Sequence, residues 1–427
     1  MNALRSPRPR SVLLGAAAAL AGLLAAPAAH AAPVTGVTIA PIRAAENRVE
    51  MVRDLDEARA LGAKVVRTEI RWDLLEPTQG TYDAAYLARL DDVFAAAKAR
   101  GIRVLVTFLG SPCWTSTAPQ LTAGCSGTVP QDAPFHPPSD PAAYGRAAAF
   151  LAQRFTGTLG WIEIWNEPDH ANQVYWGGAD KARTYAGLLK ASYPLIRAAA
   201  PDVKVLGGAI VGANGAFLKA LYANGAKGSY DALSVHYYDL VLASIRAIRE
   251  TQRAAGDRAP LFLGEFGWTS CRPKSTEGGH ACVTQGVQAA NLRDTFRLLR
   301  SASYVQGALV YNLRDTAQYR FGLLSTTQKR KLAFAAARTA FGGGGTAARV
   351  TLRLRRSGGT VIASGSGPAG DALGLEVRQG GRLRYTATLR QARDRSYRVR
   401  LPRQLGTRGL QVRVRQFWSG SSATKRI

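Results

Sequence analysis

Two glutamates sit in settings that suit acid–base or nucleophilic work. Glu167 lies in Ile164-Trp165-Asn166-Glu167-Pro168 and Glu265 in Gly264-Glu265-Phe266-Gly267-Trp268, each at the end of a short apolar run. Paired carboxyl groups converging on one anomeric centre are what glycoside hydrolysis needs: one protonates the leaving oxygen while the other attacks the sugar carbon. Mutual repulsion and burial would keep Glu167 protonated and Glu265 ionised. Taken singly, a glutamate at a strand end is more often a solvated loop carboxylate, so the pairing carries the expectation. Arg67, in Val65-Val66-Arg67-Thr68-Glu69, could neutralise Glu163 or Glu69 inside a core. Glu163, two and four residues before Trp165 and Glu167, is expected on their face as the buried partner of a basic residue. His136, His170 and His280 lack ligand spacing, so neither a metal nor a cofactor is expected.

These residues need a scaffold that brings distant strand ends together. Eight short β-branched runs read as strands: Val34–Pro41, Lys64–Trp72, Arg103–Ser111, Trp161–Pro168, Lys204–Val211, Asp231–Asp239, Pro260–Ser270 and Gly307–Asp315. Helical patterns lie between them, among them Arg48–Leu61, Ala84–Arg100, Pro141–Phe155, Ala179–Ala200 and Val287–Ser301. Gly62 and Gly101 fall where C-caps are expected, and Asp140-Pro141 and Gly178-Ala179 read as helix starts. Repeated βα units imply parallel strands with right-handed crossovers. The absence of G-x-G-x-x-G after the first strand argues against a dinucleotide fold. The fold class expected is α/β, a (β/α)8 TIM barrel followed by a small C-terminal antiparallel β-sandwich domain. Sites in such barrels sit at the C-terminal strand ends, where Glu167 and Glu265 fall.

The barrel resembles the clan A glycoside hydrolases, closest to the family 39 and family 5 type, from about residue 34 to 341. Its most specific piece is Ile164-Trp165-Asn166-Glu167-Pro168. The resemblance implies that Glu167 is the general acid/base, Glu265 the nucleophile and Asn166 a ligand of the sugar 2-hydroxyl. It also implies that Arg67 and Tyr238 hold the nucleophile and that His236, in His236-Tyr237-Tyr238, lines the sugar pocket. Trp72-Asp73-Leu74-Leu75-Glu76-Pro77, with Gly80 and Tyr82, resembles a family 39 stretch, as does Pro112 with Trp114. Tyr311 stands where many clan members carry a tryptophan. No histidine occurs in Val104–Ser111, which favours the family 39 side.

Trp72, Trp114, Trp176 and Trp268 fall near C-terminal strand ends or in the loops after them, where rings could stack on sugar C–H faces. Trp161, at the start of its strand, is expected at the barrel bottom. Cys113, Cys125, Cys271 and Cys282 form two local pairs, 12 and 11 residues apart. Of three connectivities, the two local disulfides are favoured; a zinc site would want C-x-x-C spacing. The long loop Pro112–Ser139 and the loop after Pro260–Ser270 would then be braced at the cleft rim.

The ends of the chain differ in character. Arg5, Arg8 and Arg10, the apolar stretch Val12 to Leu24 and Ala29-His30-Ala31 read as a cleavable signal peptide, with cleavage after Ala31 and secretion as the consequence. From Arg349 onward 18 Lys and Arg face 3 acids, a net +15 of the +27 formal charge. Such a tail would attract an anionic cell-wall polymer or an acidic polysaccharide. No nucleic-acid motif is present, and none is expected as partner. The chain divides into a signal segment (1–31), a catalytic barrel (32–341), a Gly-rich linker (342–347) and a basic sandwich (348–427). A monomeric enzyme acting on a carbohydrate is expected. The alternative is a non-catalytic carbohydrate-binding or adhesion protein using cleft and tail, and a transglycosylase would use the same residues.

Overall fold

The computed structural model describes residues 32–42, 48–121, 125, 129–171, 175–342, 349–367, 373–389, 391–392, 395–416 and 422–427. The expected signal segment and the Gly-rich linker beyond Gly342 lie outside the described residues.

Eight parallel strands close a barrel: β1 (Val34–Thr38), β2 (Val65–Arg71), β3 (Arg103–Leu109), β4 (Leu159–Ile164), β5 (Lys204–Ile210), β6 (Ala232–Tyr238), β7 (Leu261–Gly267) and β8 (Val305–Val310). β8 pairs with β1 to complete the ring, Val34 opposite Gly307 and Val37 opposite Val310. The near-continuous burial of β3 to β7 is that of strands covered on both faces. Inside the lower barrel, Val65, Leu105, Trp161, Leu206, Ala232, Phe262 and Leu309 form a separate apolar floor. Trp161 packs at a tilt against Phe262, ring centres 5.8 Å apart, and carries the Arg103 guanidinium 4.7 Å from its ring centre.

Local chemistry places the helices. Asp83 and Asp140 accept from the amides of Tyr86 and Ala142, capping helices Ala84–Ala99 and Pro141–Arg154. Gly62 and Gly101 turn left-handed just past helix ends, at φ 84° and 66°. The helix expected from Ala179 begins instead at Lys181, because Asp180 caps it by accepting from the Arg183 amide. The last barrel strand stops at Val310, five residues short of expectation. Beyond it the Leu313 amide crosses to the Thr38 carbonyl and the Asp315 amide to Leu324, which turns this segment into a loop at the mouth.

After the barrel come two antiparallel sheets. One orders Arg353–Ser357, Thr360–Ser366 and Ser396–Arg400; the other orders Arg382–Leu389, Leu373–Gln379, Leu410–Gln416 and Ser422–Arg426. Val361, Leu375, Val377, Val412 and Val414 are among the buried residues of their shared core. The first of these strands, Arg353–Ser357, pairs antiparallel with Thr360–Ser366. The two-residue turn Gly358-Gly359, at φ 54° and 74°, fixes which residues pair.

Candidate active site

Arg67 on β2 is fully buried and joins the acidic groups at the barrel mouth. Its Nη1 donates to Glu265 Oε1 at 2.5 Å. Nε and Nη2 both reach Glu163 Oε2, at 3.0 and 2.8 Å, and Nη2 also donates to Asn166 Oδ1 at 2.9 Å. Thr107, 2.7 Å away, and Ser234 complete the donors around Glu163. Burial alone would raise the Glu163 carboxyl. The Arg67 charge, with His236 and Ser234, holds it well below the usual carboxylate range. Arg67 therefore fills both roles open to it, pairing Glu163 in the core and bonding Glu265.

Glu265 faces the same interior because of a bulge. Leu263 pairs with Val235 and Glu265 with His236, leaving Gly264 as the extra residue on β7. A Cβ at Gly264 would meet Glu163 Oε1 at 2.7 Å, Ser234 Oγ at 2.8 Å and His236 Nε2 at 2.9 Å, so only glycine leaves room for the network. The Tyr238 hydroxyl donates to Glu265 Oε2. Burial and the adjacent Glu265 push the Tyr238 phenol well above its ordinary range, so it remains a donor.

His236 is fully enclosed on β6. Its Nδ1 lies 3.0 Å from Glu167 Oε1 and 3.8 Å from Glu265 Oε2. Its Nε2 stands 3.6 Å from Glu163, too long for a hydrogen bond but close enough for charge attraction. Burial would depress the imidazole, yet Glu265, Glu163 and Glu167 push it up to about 10. It is thus a cation at neutral pH, and Nδ1–H donates to Glu167.

Glu167 reaches the site by a different route from the one expected. β4 ends at Ile164, and Trp165 (φ 66°) and Glu167 (φ 44°) are both left-handed. The alternation that would put Glu163, Trp165 and Glu167 on one face is broken there. Trp165 turns into the layer beneath the helices, against Tyr144 and Trp176, and its indole donates to the Tyr175 carbonyl. Glu163 and Glu167 both remain beside His236. One donor atom each from Glu167, His236 and Glu265 lies within 4.8 Å of the other two. As a metal cradle this set is poor: a protonated imidazole offers no lone pair, and Arg67 and Tyr238 already bond both Glu265 oxygens.

Two cavities open at this end of the barrel. One, of 490 Å³, is lined by Arg67, Glu69, Glu265, Tyr311, Arg314 and Asp315 among others. The other, of 460 Å³, is lined by Glu69, Arg71, Phe135, Tyr175, Tyr311 and Tyr319 among others. Tyr311 and Glu69 border both, so Tyr311 does stand at the site. Three of the expected tryptophans do not. Trp72 and Trp176 are fully buried, the first donating to Glu76 and the second to Thr184. Trp268 is 3% exposed and donates to the Asp239 carbonyl. These rings have no free face for a sugar. Trp114 is part-exposed, packs edge-on against Trp72 and lines neither cavity. Besides Tyr311, the aromatic residues that line the second cavity, Phe135, Tyr175 and Tyr319, lie in loops. No periodicity marks them, and a bias toward tyrosine after strand ends was the only available cue.

Both local disulfides are present, Cys113–Cys125 and Cys271–Cys282. The second closes a loop carrying a small hairpin, Thr276–Glu277 with His280–Ala281. Glu277 accepts from Thr269 and from the Arg320 amide and guanidinium. His280 packs on Tyr238, ring centres 4.8 Å apart, and on Phe321 at 5.4 Å.

The mouth of a closed parallel barrel thus gathers Glu163, Glu167 and Glu265 around Arg67 and His236. The family model described as cellulase, glycosyl hydrolase family 5, matches residues 33–294, and the chain belongs to that family. It is a glycoside hydrolase. No curated protein matches it in sequence. Among solved structures, the family 39 enzyme from Xanthomonas axonopodis pv. citri is 18% identical, with a TM-score of 0.54 over 88% of this chain and 93% of that one. A family 39 β-xylosidase from Caulobacter crescentus gives the same identity and score over 87% and 97%. The endo-β-1,4-mannanase from Thermotoga petrophila is 14% identical, with a TM-score of 0.53 over 92% and 97%. The barrel is thus shared with both families. The family match lies on the family 5 side, where the absence of a histidine from Val104–Ser111 had favoured family 39.

Proposed function

We propose that the chain is a secreted, retaining β-glycoside hydrolase that cleaves O-glycosidic bonds of an oligo- or polysaccharide by double displacement. The observation that carries this reading is the approach of Glu167 and Glu265, whose carboxyl oxygens lie within 4.8 Å. Retaining enzymes hold the pair at about 5–5.5 Å, and inverting ones at about 6.5–9.5 Å to admit a water. A Glu265 oxygen attacks the anomeric carbon as the bond to the leaving oxygen breaks, and Glu167 gives that oxygen its proton. Glu167 then takes a proton from water, which attacks the same carbon and releases Glu265. Arg67 and Tyr238 orient Glu265, His236 orients Glu167, and Asn166 is placed for a sugar hydroxyl. Arg67 and His236 bring two positive charges against three carboxyl groups, so one carboxyl can hold the transferable proton without leaving the cluster charged. Residues 32–341 form the catalytic unit and 348–427 a basic module suited to an acidic polymer. Secretion is supported by the signal-like residues 1–31 and the two disulfides.

A panel of aryl β-glycosides tests the reading. Glu265→Ala should lose about 10⁴-fold or more in kcat, and azide, entering from the vacated face in a single displacement, should restore turnover as an α-glycosyl azide, whereas Glu167→Ala with azide should give the β-glycosyl azide. Unchanged turnover in Glu265→Ala, or an azide adduct of retained configuration from that variant, overturns it. A purely sugar-binding protein would retain polysaccharide yet release no reducing ends.

A further inference from the structure

The basic tail becomes specific once its strand register is considered. In the three-stranded sheet, Arg355 pairs with Ile362, which pairs with Arg400. One rung along, Arg353 pairs with Ser364, which pairs with Arg398. Leu354, Ala363, Tyr397 and Val399 face the sandwich core, so the alternating residues Arg353, Arg355, Arg398 and Arg400 share the outer face. All four are exposed, while Ile362 between them is only 5% exposed, as expected if arginine stems lie over it. The three strands contain no Asp or Glu, and their one aromatic residue, Tyr397, faces inward. The outer face of the other sheet differs. There Arg415 pairs with Glu376 at 3.4 Å, beside Arg378 and Arg413.

We propose that the Arg353–Arg355–Arg398–Arg400 face is a binding surface for an extended, carboxylate-bearing polysaccharide. The proposal rests on the reading of the chain as a carbohydrate-active enzyme, and it names the class of polymer that the module holds. Residues two apart on a strand are about 6.5–7 Å apart, and strands two apart about 9.5–10 Å, so the four guanidinium groups form a flat rectangle of repeated positive charge. A regular array of this kind suits a repeating polyanion. Each planar fork can take a carboxylate through two parallel hydrogen bonds. With no outward aromatic ring, the face lacks the stacking platform that neutral sugars or unpaired bases would use. With no exposed apolar side chain, it lacks the means to enter a lipid surface. Weak contacts here would raise the local concentration of substrate at the barrel mouth through the intact chain.

Binding of the full chain to alginate, by affinity electrophoresis in low and high salt, tests this. Arg353→Gln/Arg355→Gln/Arg398→Gln/Arg400→Gln should weaken alginate binding about tenfold or more, from four exposed charge pairs lost together. Each single rung, Arg355→Gln/Arg400→Gln or Arg353→Gln/Arg398→Gln, should give part of that loss. Arg413→Gln/Arg415→Gln on the opposite sheet should change it less than about twofold. Turnover of a small aryl glycoside should be unaltered in all four variants, and unchanged far-UV circular dichroism and thermal unfolding should report that the sandwich folds in each. Equal binding by the quadruple variant, equal loss in the opposite-face variant, or stronger retention by polyphosphate, duplex DNA or phosphatidylglycerol vesicles overturns the proposal. Failure of the hydrolase reading would appear in the aryl glycoside assay and leave the alginate measurement intact.

Discussion

At the scale of single residues, the site is a charge problem solved by two cations. Glu163 is buried and ionised because Arg67 grips it, so Arg67→Met should destabilise the protein by about 3–5 kcal/mol, the cost of an orphaned buried charge. Urea denaturation of the variant and of Arg67→Met/Glu163→Gln measures it, and the double variant should recover part of the loss. His236 sets the alkaline limit. Its charged form is raised from 6.5 to about 10 in the folded state. Its contribution to stability is therefore fully present below about 6.5 and lost as pH rises through about 10. The stability difference between wild type and His236→Gln should shrink over that range; a difference constant from pH 6 to 10 would contradict this. Glu167, Glu265, Asn166, Arg67, His236 and Tyr238, singled out by strand ends and by the family resemblance, do lie together at the barrel mouth. The tryptophans were misjudged because a strand-end position does not say which way a ring turns. Trp72, Trp165 and Trp176 pack together with Tyr144 and Tyr185 under the helices, where their area is best buried.

Among the elements, the disulfide-closed hairpin after β7 has the clearest consequence. His280 packs on Tyr238, and Tyr238 bonds Glu265, so the hairpin bears on the Glu265 carboxylate through one ring. His280→Ala should lower kcat about tenfold with little change in KM, as a small misplacement of a reacting group does. In a Tyr238→Phe background the same change should cost almost nothing more, and additive losses would show that His280 acts elsewhere. Strand and helix existence could be read from alternation and caps for most of the barrel. What escaped were helices Ala216–Ala223, Val241–Ala254 and Leu332–Phe341, the two-residue hairpin strands and the tail strand Ser422–Arg426. The short hairpin has no periodic signal, and its place comes from Cys271–Cys282 and the Glu277–Arg320 contact rather than from propensity.

Over the whole molecule, barrel and sandwich meet through charge. Asp294, fully buried on helix Gln285–Leu299, pairs with Arg395 at 2.5 Å. Arg395→Met should lower stability by about 1–3 kcal/mol, more than a surface pair would, because the buried carboxylate loses its positively charged neighbour. Calorimetry should then show the sandwich melting ahead of the barrel, whereas a single undisplaced transition would show the pair to be idle. The apolar floor of Trp161, Phe262 and their neighbours bears on traffic through the enzyme. With the lower end plugged, departing alcohol and arriving water must use the same doorway, so on the double-displacement route the first has to leave before the second can enter. Any alcohol held at that doorway competes with water for the glycosyl group, and crowding it with acceptor sugar should divert turnover from hydrolysis to synthesis.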